Sequence, residues 1–169
     1  MKQIFLLINF VNLLASSFGF NQVCYLRFDG DLRLLSLKYA FCTHIILGFF
    51  SVKDNHSVVA SKANEFSLLN EAFKFRENWS NVKIMVSIGG GANEKGFHEA
   101  AKDDFTRKMF AVSVAELVKT WNLDGIDIDW EFPGWDLHLQ DRNKFPLLLK
   151  VLINQTKVNF ITCFCIGNT

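Results

Sequence analysis

The chain has 169 residues, half of them hydrophobic, with 18 basic and 17 acidic side chains. That is the composition of a globular domain with a core, and it excludes a disordered or fibrous chain. A formal net charge of +1, with no run of like charges and no basic-aromatic stripe, gives no reason to expect a nucleic-acid partner.

Residues 1–19 read as a secretory signal. Lys2 supplies a positive start, Ile4 to Leu14 is apolar except for Asn9 and Asn12, and Ser17 and Gly19 are the small residues a signal peptidase inspects. The apolar stretch, about 11 residues, falls well short of the roughly 20 that span a bilayer. Residues 20–169 are therefore expected outside the cell, off the membrane after cleavage. Cys24, Cys42, Cys163 and Cys165 would then meet an oxidising compartment, where thiols pair. His44, His56, His98 and His138 are scattered and no Cys/His spacing suggests zinc, so no metal site is expected. Asn55, Asn78 and Asn154 begin glycosylation sequons.

Four apolar runs bounded by turn signals predict strands at Val23–Leu26, Thr43–Phe50, Val82–Ile88 and Gly125–Phe132. Between and after them, helical spacing covers Phe66–Trp79, Asp103–Asn122 and Asp141–Ile153, with Pro146 limiting or kinking the start of the last. In the longest helix the stripe Phe105, Met109, Phe110, Ser113, Val114, Leu117, Val118 and Trp121 is expected to face the core. Strands alternating with helices argue for βα units and a parallel sheet in one domain.

The sharpest feature is Asp124-Gly-Ile-Asp127-Ile-Asp129-Trp-Glu131. In a strand, Asp127, Asp129 and Glu131 share one face, spaced roughly 6.6 Å apart; Ile126, Ile128 and Trp130 share the other. Three stacked acids repel when all are ionised, which raises the pKa of at least one. A wet edge strand would also alternate in this way, and a hard-cation site would also collect oxygens. Against the first, Asp and Glu are poor strand formers and no Lys or Arg neutralises the face. Against the second, the spacing is not that of a calcium loop. An acid stack at the C-terminal end of a buried strand, closed by Pro133-Gly134, is better explained as chemistry. The run Gly89-Gly90-Gly91 lacks the spacing of a phosphate loop and reads as a tight turn at a strand end.

Asp124-x-x-Asp127-x-Asp129-x-Glu131 matches the whole DxxDxDxE signature of the family 18 glycoside hydrolases, and Leu123 to Gly134 resembles the animal chitinases almost residue for residue. Ser87-Ile88-Gly89-Gly90, Cys42 to Ile46 and Val23-Cys24-Tyr25 resemble the family's third, second and first strands, in the right order. The resemblance covers roughly residues 23 to 150 and implies an α/β chain of the (β/α)8 TIM-barrel family. It implies substrate-assisted, retaining cleavage of β-1,4-linked N-acetylglucosamine, so chitin or its oligosaccharides as partner and no cofactor. Glu131 would be the proton donor, Asp129 would hold the substrate acetamido group, Asp127 would share a proton with Asp129, and Asp124 would be structural. Phe49, Gly89, Gly90, Gly91 and Phe132 would line the sugar groove, and Cys24 would pair with Cys42.

Gly91 stands where the family usually has a groove-wall Trp, Phe132 where it has Tyr, and Leu47-Gly48-Phe49 where Tyr-Ala-Phe is common. A complete barrel needs about 250 residues, and only the first four βα units are expected here, followed by an unmatched tail at about 158–169. A truncated product is therefore expected, with its first and last strands open to self-association. A secreted chitin-binding protein without turnover is the alternative function, and a non-functional truncated product the third reading.

Overall fold

The computed structural model describes residues 21–27, 41–60, 65–78, 81–91, 94–135, 138–157 and 159–162. The signal segment, Trp79, Cys163, Cys165 and the end of the tail lie outside them. In chain order the elements are β1 (Val23–Arg27), β2 (His44–Val52), β3 (Val58–Ala60), α1 (Glu65–Asn78), β4 (Lys83–Gly89), α2 (Glu94–Ala101), α3 (Asp104–Thr120), β5 (Gly125–Asp129), α4 (Asp141–Thr156) and β6 (Asn159–Thr162).

The strands form one sheet in the order β1-β2-β4-β5-β6, every neighbour parallel, with β3 folded back antiparallel on β2. Among the described residues the sheet is open, and β1 and β6 are its edges. The side chains explain why the strands read as apolar runs. Ile45 and Leu47 of β2, Ile84, Val86 and Ile88 of β4, and Ile126 and Ile128 of β5 join the helices in one core cluster. Ile46 and Met85 alternate onto the opposite face, are just as buried, and stand outside that cluster.

Helix α3 starts where Asp103 accepts from the Thr106 N–H while the Thr106 hydroxyl accepts from the Asp103 N–H, a reciprocal cap. Its buried face keeps most of the expected stripe: Phe110, Val114 and Val118 are buried, and Leu117 and Trp121 pack partly against the core. Phe105 and Met109 are 70% and 44% exposed instead, while Arg107 and Ala111 are buried. Arg107 tolerates burial because its guanidinium donates to the Ala101 carbonyl and pairs with Asp104. Pro146 sits inside α4, which continues to Thr156 without interruption.

Three elements go beyond the expected four strands and three helices: β3, β6 and α2. Strand β5 is also shorter than expected, ending at Asp129, so Trp130 to Phe132 leave the sheet.

Cys24 and Cys42 form a disulfide across 18 residues, tying β1 to the entry of β2. Replacing both by serine is expected to lower stability by about 2–4 kcal/mol in denaturant melts, because the cross-link restricts the unfolded chain. A change below about 0.5 kcal/mol would show that the bridge does not hold β1 in place.

Candidate active site

The parallel register brings the polar residues of three strands to one place. Ser87 of β4 stands directly opposite Asp127 of β5. Asp127 is fully buried, and its Oδ2 accepts from the Ser87 hydroxyl at 2.7 Å and from the Tyr25 phenol of β1 at 3.1 Å. A buried carboxylate needs such donors. Neither Tyr25 nor Ser87 was singled out in the sequence as a site residue. The available signal was a hydroxyl side chain inside each of two apolar runs.

Asp129 closes β5 one step further along the same face and is 8% exposed. Burial, and then the negative charges of Glu131 and Asp127, push its carboxyl up to about 6, and it shares a hydrogen bond with Glu131. Glu131 is half-buried just beyond the strand end. Asp127 and Asp129 thus share the strand face as expected, whereas Glu131, expected on the same strand, lies beyond its end. Asp124 lies at the opposite end of the strand. Its carboxylate accepts from Arg76 of α1 at 2.6 Å, from the Ile84 N–H at 2.8 Å and from Lys83 at 3.4 Å, clamping α1 and β4 to the start of β5.

The glycines beside the acids are required by space. Gly89 has φ +127°, and a Cβ there would lie 2.0 Å from the Asp129 carbonyl oxygen. Gly90 has φ +80°, donates its N–H to that same oxygen at 2.9 Å, and would press a Cβ against the Phe49 ring at 3.2 Å. Phe49 owes its place to an irregularity: the β2–β4 register shifts between Gly48 and Phe50, so Phe49 is an extra residue inside β2, which runs on to Val52. Gly91 differs from its neighbours. It is exposed, and a side chain there would begin 3.3 Å from Glu131 Oε2, so its absence leaves open space beside the carboxylate.

Phe132 is half-buried, 5.6 Å from the ring of Trp135, which is 45% exposed and was not singled out in the sequence. Trp130 faces away from the acids, as alternation predicts. It stacks on Phe97 at 5.2 Å and meets Phe145 edge-on at 5.6 Å. The histidines are less scattered than the sequence suggested: His98 and His138 stack at 3.9 Å, and His98 pairs with Asp141.

An open parallel α/β sheet carrying stacked acids at the C-terminal end of a strand, floored by glycines and flanked by aromatic rings, has the form of part of a barrel-type sugar hydrolase. Residues 21–161 match the sequence model of glycosyl hydrolases family 18, and the chain belongs to that family. The endochitinase of Manduca sexta is 34% identical over 120 residues, 66% of this chain and 22% of that protein. The chitinase domain of the spore coat protein CotE from Clostridium difficile superposes with a TM-score of 0.70 at 25% identity, covering 84% of this chain and 41% of that one. Human YKL-39, described as a pseudo-chitinase with retained chitooligosaccharide binding properties, superposes with a TM-score of 0.74 at 21% identity, over 86% and 43% of the two chains. The chain spans about a quarter or less of the length of the curated relatives it matches and less than half of the solved structures.

Proposed function

We propose that these residues carry the acid machinery of a secreted chitinase-type hydrolase, acting on β-1,4-linked N-acetylglucosamine by a substrate-assisted, retaining route. The observation that supports this most is Asp127, fully buried on the Tyr25 and Ser87 hydroxyls, with Asp129 closing β5 above it and Glu131 just beyond the strand end. Glu131 gives its proton to the glycosidic oxygen as the bond from that oxygen to the anomeric carbon breaks. The substrate's acetamido oxygen closes on that carbon to form an oxazolinium ring. Asp129 turns from Glu131 to accept the acetamido N–H and balance the new positive charge, while Asp127 holds the charge beneath it and shares its proton demand. Water then opens the ring, losing its proton to Glu131. Phe49, Phe132 and the Gly89–Gly91 turn line the groove, and Asp124 is structural. The Cys24–Cys42 bridge favours an oxidising, extracellular setting.

A second reading rests on Gly91. Without a side chain at that position, one wall of the groove beside Glu131 is open, which favours glycan binding over confined chemistry. Residues 1–169 expressed alone are expected to give no turnover of a fluorogenic chitobiose substrate, because the described strands enclose the acids on one side only. Turnover by this chain that disappears in Glu131→Gln would contradict that expectation. Retention on insoluble chitin without turnover would favour the binding reading.

A further inference from the structure

The loop leaving the acid strand is fastened to α2 by a cluster that the hydrolytic chemistry does not use. His98 of α2, His138 of the loop and Asp141 at the start of α4 bring ligand atoms within 4.8 Å of one another. Asp141 is 1% exposed and its Oδ2 pairs with His98 Nδ1, while Lys144 lies 3.3 Å from its Oδ1. The imidazoles of His98 and His138 stack at 3.9 Å, inclined by 20°. The turn between the two loop ligands is fixed, because the Asp141 N–H donates to the His138 carbonyl at 2.9 Å.

We propose that His98, His138 and Asp141 bind a divalent transition-metal ion of the zinc class. Two imidazoles and one carboxylate are a donor set that such ions take, with a remaining position open to water. The ion enters between His98 Nδ1 and Asp141 Oδ2, in place of the direct contact that now joins them. Those atoms then part to the separation of two ligands on one ion, roughly 3.3 Å for metal bonds near 2.1 Å. Nearly parallel rings cannot aim two in-plane lone pairs at one point, so His138 must rotate. It is exposed and has the room to do so. Lys144 opposes the ion's charge, and its partly exposed side chain can swing outward.

The consequence is mechanical. His98 meets Trp130 edge-on at 5.6 Å, and Trp130 immediately precedes Glu131. An ion joining α2 to the loop after β5 therefore stiffens the backing of the acid at the mouth of the site.

The test is a Co²⁺ titration of the 169-residue chain after alkylation of any free thiol, followed by displacement with Zn²⁺. Saturation at one ion per chain is expected, with visible bands of a nitrogen–oxygen site and no thiolate charge transfer. Zn²⁺ should raise the unfolding temperature, by an amount that grows with the logarithm of its concentration above the dissociation constant. His138→Ala should weaken binding by roughly tenfold or more while leaving metal-free stability unchanged, and Lys144→Met should tighten it. No saturable binding, binding that disappears on alkylation, or binding indifferent to His138→Ala would overturn the proposal.

Discussion

Gly89→Ala is expected to destabilise the chain by more than about 4 kcal/mol, enough to prevent recovery of folded protein. The new methyl group would lie 2.0 Å from the Asp129 carbonyl oxygen, 2.7 Å from its carbon and 2.9 Å from Phe97 Cε2. Two of these three atoms are backbone, and the same oxygen holds the Gly90 N–H at 2.9 Å, so β5 cannot retreat without breaking that bond. The φ of +127° adds strain of its own, because L side chains rarely adopt it. Losses of this size come from a short list of causes, and a methyl forced into backbone is one of them. Gly91→Ala is the matched control. Its Cβ would meet only the tip of Glu131 at 3.3 Å, and a change within about 0.5 kcal/mol is expected. Urea melts of the two variants decide the matter, and a Gly89→Ala variant within about 1 kcal/mol of the parent would refute the close approach of β4 and β5.

Asp129→Asn is expected to stabilise the fold at neutral pH. The folded carboxyl sits at about 6, against 3.8 for the ordinary group, so between those values the folded chain binds more protons than the unfolded one. Stability from this residue is therefore fully present below about pH 4 and is lost as pH rises through about 6. Above that, ionised Asp129 costs on the order of 1–3 kcal/mol, the upper bound being the full shift at 1.36 kcal/mol per unit. Asparagine keeps a polar group of the same shape and cannot ionise. Melts across pH 4 to 7 should show the variant gaining on the parent as pH rises, with little difference near pH 4. A variant equally or less stable than the parent at pH 7 would contradict the buried-charge explanation.

What was legible in the sequence follows from how local each signal is. The acid stack, the triple glycine and the strands β2, β4 and β5 show in short windows, because period-2 alternation and turn residues act within a few positions. Helix α2, of eight residues, was not expected from the sequence. Inside it lies Gly96, a poor helix former. Its missing side chain is what lets α2 approach β2, since a Cβ there would lie 2.4 Å from the Val52 carbonyl oxygen. Strands β3 and β6, of three and four residues, owe their place to pairing with β2 and β5 rather than to pattern. In α3 the apolar spacing marked Phe110, Val114 and Val118 correctly, but it gave no sign that Phe105 and Met109 are exposed or that Arg107 is buried, since that burial depends on a carbonyl in α2. The hydrogen bond from Tyr25 to Asp127 spans 102 positions and the His98–Asp141 pair spans 43, so neither leaves a local trace.

The most direct test places these strands inside a closed barrel. Residues 21–157 grafted over the matching part of the Manduca sexta endochitinase should hydrolyse a fluorogenic chitooligosaccharide. Glu131→Gln in that graft should lower turnover by roughly 10²–10⁴-fold while leaving chitooligosaccharide binding in place, as expected of a general acid. A folded graft that binds the oligosaccharide but does not cleave it, or cleaves it equally well with Gln at position 131, would contradict the role assigned to the acid stack.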